Sequence, residues 1–149
     1  MSGADPVGRR IADLRVRRLV APWTDPPRWS PSYDRLRELV VVEIETASGH
    51  VGTGYLQLLS GGSATVAACL DELVRPHLIG RDATEVEAIW GDLWRANYWV
   101  GRMGITVLAQ SAVDVALWDV TGKIVGLPLF RLWGGAAREL PAYGSGCWR

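Results

Sequence analysis

Residues 111–135, "SAVDVALWDVTGKIVGLPLFRLWGG", decide the fold. Read with the residues before them, they place Ile105, Val107, Leu108, Ala109, Ala112, Val113, Val115, Ala116, Leu117, Trp118 and Val120 on almost every side of a helical projection. That spacing predicts a helix from Ile105 to Val125, and a helix apolar all round is buried rather than laid on a surface. Gly126 suits a left-handed cap, and Pro128 cannot continue the helix but can start another. A short turn from Leu129 to Trp133 is then expected to stop at Gly134 and Gly135.

So apolar a helix needs a large partner. Past it, Leu140 to Gly144 reads as one short strand, and a strand needs a neighbour for its backbone donors and acceptors. It has the character of the first strand of something larger.

Upstream, the chain is rich in β signals. "IADLRVRRLV" (11–20) partly alternates, and "RELVVVEIETASGHVGTGYLQLL" holds two more strands joined at Ser48-Gly49, a turn signal. In the first of these two, Val40, Val42, Ile44 and Thr46 share a face opposite Leu39, Val41, Glu43 and Glu45, so one face is expected to be covered. Helical spacing starts after "SGGS", where Ser63 is a candidate cap; Val66, Ala67, Leu70, Leu73 and Val74 recur every three or four residues, and Pro76 is expected to end the helix. Thr84 and Glu87 match a capping box for a further helix reaching Tyr98, with Val86, Ile89, Trp90, Leu93 and Trp94 as its apolar stripe.

Composition removes several function classes. The chain has 149 residues, 48% hydrophobic and 21% charged, which suits one domain with a real core. Sixteen basic and sixteen acidic residues cancel, so no summed field favours nucleic acid or an anionic membrane. The cluster Arg15, Arg17 and Arg18 reads as the solvent side of a strand. No run reaches the roughly 18 to 20 apolar residues that span a bilayer, and the N-terminus has no secretory apolar segment. Cys69 and Cys147 have neither disulfide nor metal spacing, so both are expected as reduced thiols in a cytoplasmic protein.

The run "VLAQSAVDVALWDVTGKIVGLPLFRLWGG" followed by "LPAYGSG" is similar to the junction between capping domain and barrel in the mandelate racemase and muconate lactonizing enzyme group of the enolase superfamily. The hairpin "VVVEIETASGHVGTGY", the helix "LIGRDATEVEAIWGDLW" and the loop "NYWVGRMG" resemble the same family in the same order, so the resemblance covers nearly the whole chain. It implies an α+β fold: a three-stranded antiparallel sheet followed by a helical bundle, packed over the mouth of a (β/α)-barrel. On this division residues 1–10 are an N-terminal tail, 11–135 the capping domain, and 136–149 the start of the barrel domain. Such a barrel takes roughly 250 residues, so it is largely absent from this chain and is expected in cis or as a separate chain.

The resemblance also implies chemistry. Family members abstract the α-proton of a carboxylate substrate and stabilise the enediolate on Mg2+, because that proton is too weakly acidic unless a cation takes up the developing charge. The metal carboxylates, the lysine pair and the His-Asp base would lie beyond Arg149, so neither catalytic residues nor metal ligands are expected here. What the capping domain would supply is substrate contact. Its two loops close over the barrel mouth and exclude water. The first, "APWTDPPRWSPSY", has four prolines, two tryptophans and a tyrosine, reading as an ordered lid. Trp23 and Trp29 are candidates for an apolar wall, and Arg28 for a bidentate carboxylate clamp. In the second, "GTGYLQLLSGG", Tyr55 stands where a mandelate racemase-like protein places a pocket tyrosine, and Gly52 and Gly54 let the backbone approach its neighbours. Ser145 matches a serine near the substrate carboxylate at a barrel strand end.

Other residues take plainer readings. Asp114 and Asp119 point to different faces and are expected to hold backbone or loop donors at the domain junction, with Asp119 and Lys123 an i,i+4 pair. His50 and His77 are too far apart for a metal site or triad. "GTG" and "SGG" are too short for phosphate loops. Two functions are therefore expected to compete. One is the capping part of a racemase or dehydratase acting on a hydroxy or sugar acid, homo-oligomeric when complete and inactive alone. The other is a stand-alone or truncated interaction module using the exposed junction.

Overall fold

The computed structural model describes residues 7–22, 36–58 and 61–144. Three strands, β1 (Ile11–Pro22), β2 (Leu36–Thr46) and β3 (Val51–Leu58), form an antiparallel sheet in the order β1-β2-β3. α1 (Ser63–Cys69) runs on through a π-helical turn (Leu70–Val74) and a 3-10 turn (Arg75–His77). Then come α2 (Val86–Ala96), α3 (Ile105–Val125) and α4 (Leu129–Leu132). No helix among the described residues is long and apolar enough to cross a membrane.

The sheet alternates as the sequence dictates. Val40, Val42 and Ile44 are fully buried beneath the helices, and Thr46 almost so. On the other face Arg15 bridges Glu43 and Glu45, and Arg17 also reaches Glu43. The register puts Arg15 directly opposite Glu43, and the other two pairs reach diagonally across β1 and β2. Arg18 departs from the expectation of a solvated side chain: it turns to the helical side and donates from Nε to Ser63 Oγ at 3.0 Å.

α3 seats directly on β3. A Cβ built on Gly52 would lie 2.1 Å from the Ala116 carbonyl oxygen, and one on Gly54 would lie 2.0 Å from that of Ala112. Backbone meets backbone, with Ala109, Ala112, Val113, Ala116 and Val120 wholly buried along the contact. Two side chains lock the seat. The Thr53 N–H donates to Asp119 Oδ2 at 2.8 Å, and Lys123 Nζ donates to the Val51 carbonyl at 2.8 Å. They satisfy part of an edge that would otherwise recruit another strand. A second side of α3 holds the preceding segment, where Gln110 donates to the Trp90 carbonyl and Thr121 to that of Ala83.

Among the described residues, nothing covers the remaining side. Leu108, Val115 and Val125 stand exposed along α3, as do Leu127, Phe130 and Trp133 beyond it. The expectation of a helix buried all round is met on the domain's own side, and the outward ridge is left apolar.

Several local expectations are corrected. Ser63 is the first helical residue, not the cap; the cap is Gly62, and the Ser63 N–H is taken by Glu38 Oε2 at 2.8 Å. Thr84 and Glu87 form no capping box, because Asp82 Oδ1 captures both the N–H and the hydroxyl of Thr84 and the helix starts later, with Glu85 as its cap. Pro76 does not stop the chain abruptly, since its missing donor is tolerated at the start of the 3-10 turn. α2 stops at Ala96, short of Tyr98. Residues 135–144 form no strand and lie exposed, because no strand among the described residues lies beside them to pair with.

The seat makes a sharp prediction. Gly54→Ala drives a methyl group into the α3 backbone, which no rotamer change relieves, and should cost at least about 3 kcal/mol. Gly49→Ala, at a positive φ in the open hairpin turn, should cost about 1 kcal/mol. Urea unfolding of both variants checks the difference.

Candidate functional site

Only one of the five candidate contact residues falls among the described residues. Trp23, Arg28, Trp29 and Ser145 lie outside them. Tyr55 sits on β3 with its side chain on the sheet's outer face, 67% exposed. It pairs with Val41, which pairs in turn with Arg17, so the three form one row across the sheet. Gly54 beneath α3 fixes the backbone immediately before it, so the seat that holds α3 also sets where Tyr55 points.

The ends of two loops meet near this row. Pro22 pairs with Leu36, and Glu38 pairs with both Val20 and Leu58. The segment leaving β1 and the segment leaving β3 therefore start at the same end of the sheet. Glu38 ties them together: its carboxylate accepts from Ser63, while Arg18 donates to the same serine. The Ser63 hydroxyl and N–H hold the Glu38 carboxyl below its ordinary range, with Arg18 adding to the effect. Sequence pattern alone missed this cluster, although a glutamate on the covered side of a strand was the available signal.

At the other end of α3, a shallow cavity of about 370 Å³ is lined by Asp119, Gly122, Lys123, Leu127, Pro128 and Leu129. It opens where α4 folds back, with the Leu127 N–H donating to the Gly122 carbonyl. Trp118 packs edge-on to Trp133 across the same joint, ring centroids 5.4 Å apart. Half-buried on α3, one turn from Gln110 and two from Thr121, Asp114 has its carboxyl pushed up by burial and then by Glu87 of α2. It has no hydrogen-bond or cationic partner among the described residues. The expectation that both aspartates hold donors is met by Asp119 and not by Asp114.

The chemistry available is that of contact and cover. Among the described residues there is no group of three or more His, Cys, Asp or Glu side chains able to hold a metal ion. Ser48 Oγ lies 2.9 Å from His50 Nδ1 and 3.1 Å from Thr46 Oγ1 in the hairpin turn. Among the described residues no carboxylate orients that histidine, and the cluster fastens the turn.

The sequence matches the mandelate racemase/muconate lactonizing enzyme N-terminal domain over residues 13–134. A D-mannonate dehydratase from Xanthomonas oryzae is 48% identical over 103 residues, covering 69% of this chain and 24% of that protein. A 3,6-anhydro-alpha-L-galactonate cycloisomerase from Streptomyces coelicolor is 40% identical over 109 residues, covering 73% of this chain and 30% of its own length. The chain thus spans roughly a quarter to a third of these relatives. Among solved structures, L-talarate/galactarate dehydratase from Salmonella typhimurium, liganded with Mg and L-lyxarohydroxamate, matches with TM-score 0.74 at 28% identity, covering 84% of this chain and 33% of that one. A racemase from Streptomyces coelicolor with bound magnesium matches with TM-score 0.72 at 37% identity, covering 85% and 36%. The magnesium of these structures does not fit the described residues of this chain, which offer it no donor set.

Asp114 yields a signed prediction. Its folded pKa is raised, so the folded state binds the extra proton and stability falls as pH rises through the window from the ordinary carboxylate value to the raised one. Asp114→Asn should therefore raise Tm by a few degrees at pH 7 and lose that advantage below pH 4. Thermal melts across pH test it.

Proposed function

We propose, from the premise that this chain belongs to the mandelate racemase/muconate lactonizing enzyme family and forms its N-terminal domain, that it is the cap of a racemase or dehydratase of hydroxy or sugar acids. The single observation that supports this reading is the outward apolar ridge of α3 and α4: Val115, Val125, Phe130 and Trp133 lie exposed on the segment that leads to residues 135–144. A barrel packed there would bury the ridge, pair the segment over 140–144, and bring the loop end of the sheet over its mouth. On this reading residues 11–135 are the cap and 136–149 begin the barrel domain.

The relatives' names supply the substrate class: a mannonate, an anhydrogalactonate, a talarate or galactarate. Each is a polyhydroxylated carboxylate, and removal of its α-proton is the step that the family's barrel performs. Catalytic groups and the Mg2+ ligands would come from the barrel. This chain's part is to cover the substrate, exclude water and contact its hydroxyl groups. Tyr55 offers a phenol hydroxyl on an exposed ring whose backbone is held by the α3 seat. Trp23 and Trp29 would wall the pocket, Arg28 would clamp a carboxylate, and Ser145 would approach the substrate from the first barrel strand.

The test uses the native assembly purified with its barrel. It should turn over acid sugars only with a divalent cation present. Tyr55→Phe should lower kcat/KM about tenfold, the size of one lost hydrogen bond to substrate, with Tm unchanged. Turnover that ignores the cation overturns the reaction class, and an unchanged kcat/KM in Tyr55→Phe overturns the role of that residue.

A further inference from the structure

The turn that joins α2 to α3 satisfies one helix end and leaves the other open. At the close of α2 the carbonyls are taken: Leu93 accepts from the Asn97 N–H at 3.0 Å, Arg95 from the Tyr98 N–H at 3.1 Å, and Trp94 from Arg102 Nε at 2.8 Å. Asn97 in turn accepts from the Gly101 N–H at 2.9 Å. At the opening of α3 the donors remain. Gly104 is the cap and has no side chain to offer, and the Thr106 hydroxyl donates backwards to the Gly101 carbonyl at 2.6 Å. No acceptor among the described residues takes the N–H of Ile105, Thr106 or Val107. These donors carry the positive end of a 21-residue helix, a place that attracts negative charge. A second, independent feature points into the same place. Asn97 continues the buried stripe of α2 through Val86, Ile89 and Leu93, is only 3% exposed, and its Nδ2 is buried with no acceptor. α2 and α3 run antiparallel, since Gln110 reaches the Trp90 carbonyl and Thr121 that of Ala83. Two turns on from Trp90, roughly 10 Å along the helix, Asn97 comes level with the first turn of α3 and faces it. A buried donor left without a partner is costly, and an acceptor resting on that first turn would answer it.

We propose that the first turn of α3, with Asn97 Nδ2 and Arg102, is a binding site for the carboxylate group of a small organic acid. Arg102 supplies the charge. Its guanidinium lies 5.2 Å from the Trp94 ring centroid and 4.9 Å from that of Tyr98, and no carboxylate among the described residues pairs with it. The nearby Arg95 is already paired with Asp92. One uncompensated cation and a helix end match a single negative charge, which a carboxylate carries and a phosphate dianion exceeds. The glycine seat locates the site. Gly54 meets Ala112, and Gly52 meets Ala116 and Val120, so α3 runs antiparallel to β3. Its first turn therefore lies at the end of the sheet where the chain leaves β1 and β3. The barrel reading turns that end toward substrate, yet the assignment does not rest on that reading, because every donor belongs to this chain.

Amide NMR spectra of the 149-residue chain, titrated with sodium acetate and separately with sodium chloride at matched ionic strength, test the assignment. The backbone amides of Ile105, Thr106 and Val107 and the side-chain amide of Asn97 should shift together and saturate at millimolar acetate, and chloride should not reproduce the effect. Arg102→Gln keeps a donor for the Trp94 carbonyl but loses the charge, and should weaken acetate binding about fivefold or more. Asn97→Asp sets a like charge in the site and should abolish binding, with the fold of both variants checked by circular dichroism. Should Asn97→Asp fail to fold, the unmodified chain and Arg102→Gln still decide the matter. Shifts that stay linear in acetate, or that chloride matches, overturn the proposal. So does saturation by inorganic phosphate in place of acetate, or an unchanged affinity in Arg102→Gln.

Discussion

The contact on which the rest depends is the meeting of two backbones, with Gly52 and Gly54 of β3 against the carbonyls of Ala112 and Ala116 on α3. Nothing larger than hydrogen fits on the strand side, where Gly52 meets Ala116 and Val120 and Gly54 meets Ala112 and Ala116. At that separation the helix can reach the strand edge with Asp119 and Lys123. It thereby answers some of the backbone groups that an edge strand leaves open. The direction of α3 follows from this seat, and from that direction follow the holding of α2 through Gln110 and the path of the chain through Gly126 into α4.

A helix seated so firmly on one side has a free side with a definite location. That free side carries apolar residues where a monomeric domain would carry charge. Asp114, on the helical face it shares with Gln110 and Thr121, lies toward α2, and its half-buried carboxyl beside Glu87 is a cost to the domain. At the far end of the sheet, the Glu38, Ser63 and Arg18 cluster serves a related purpose. It joins the starts of the two segments that lead away from the sheet, so the outer-face tyrosine and both segments share one mechanical base.

The long helix was legible in the sequence because its pattern leaves no polar face, and its end at Val125 followed from Gly126, which takes the left-handed cap. The sheet was legible through the alternation at Val40, Val42 and Ile44. The cap expectations failed where another acceptor competes. Ser63 loses its cap role to Glu38, 25 residues away on the sheet, which no local rule weighs, while Thr84 loses its role to Asp82 two residues before it, a nearer acceptor that the capping-box pattern leaves out. Gly52 and Gly54 signalled close approach without naming the helix that approaches. Residues 140–144 have strand composition but no neighbour among the described residues, and composition alone does not supply one. Of the candidate site, Tyr55 stands on an exposed face beside its strand neighbours, while the roles of Trp23, Arg28, Trp29 and Ser145 rest on the family resemblance.

Hydrogen exchange of the isolated chain, read by mass spectrometry, tests the central claim most directly. If the glycine seat organises the domain, amides of β3 and of α3 from Ala109 to Val120 exchange in one slow class, by opening together, while those of residues 136–144 exchange at the rate of an unprotected chain. Fast exchange in α3 alongside a protected β3 would mean that helix and strand open separately, and that the seat does not hold the fold.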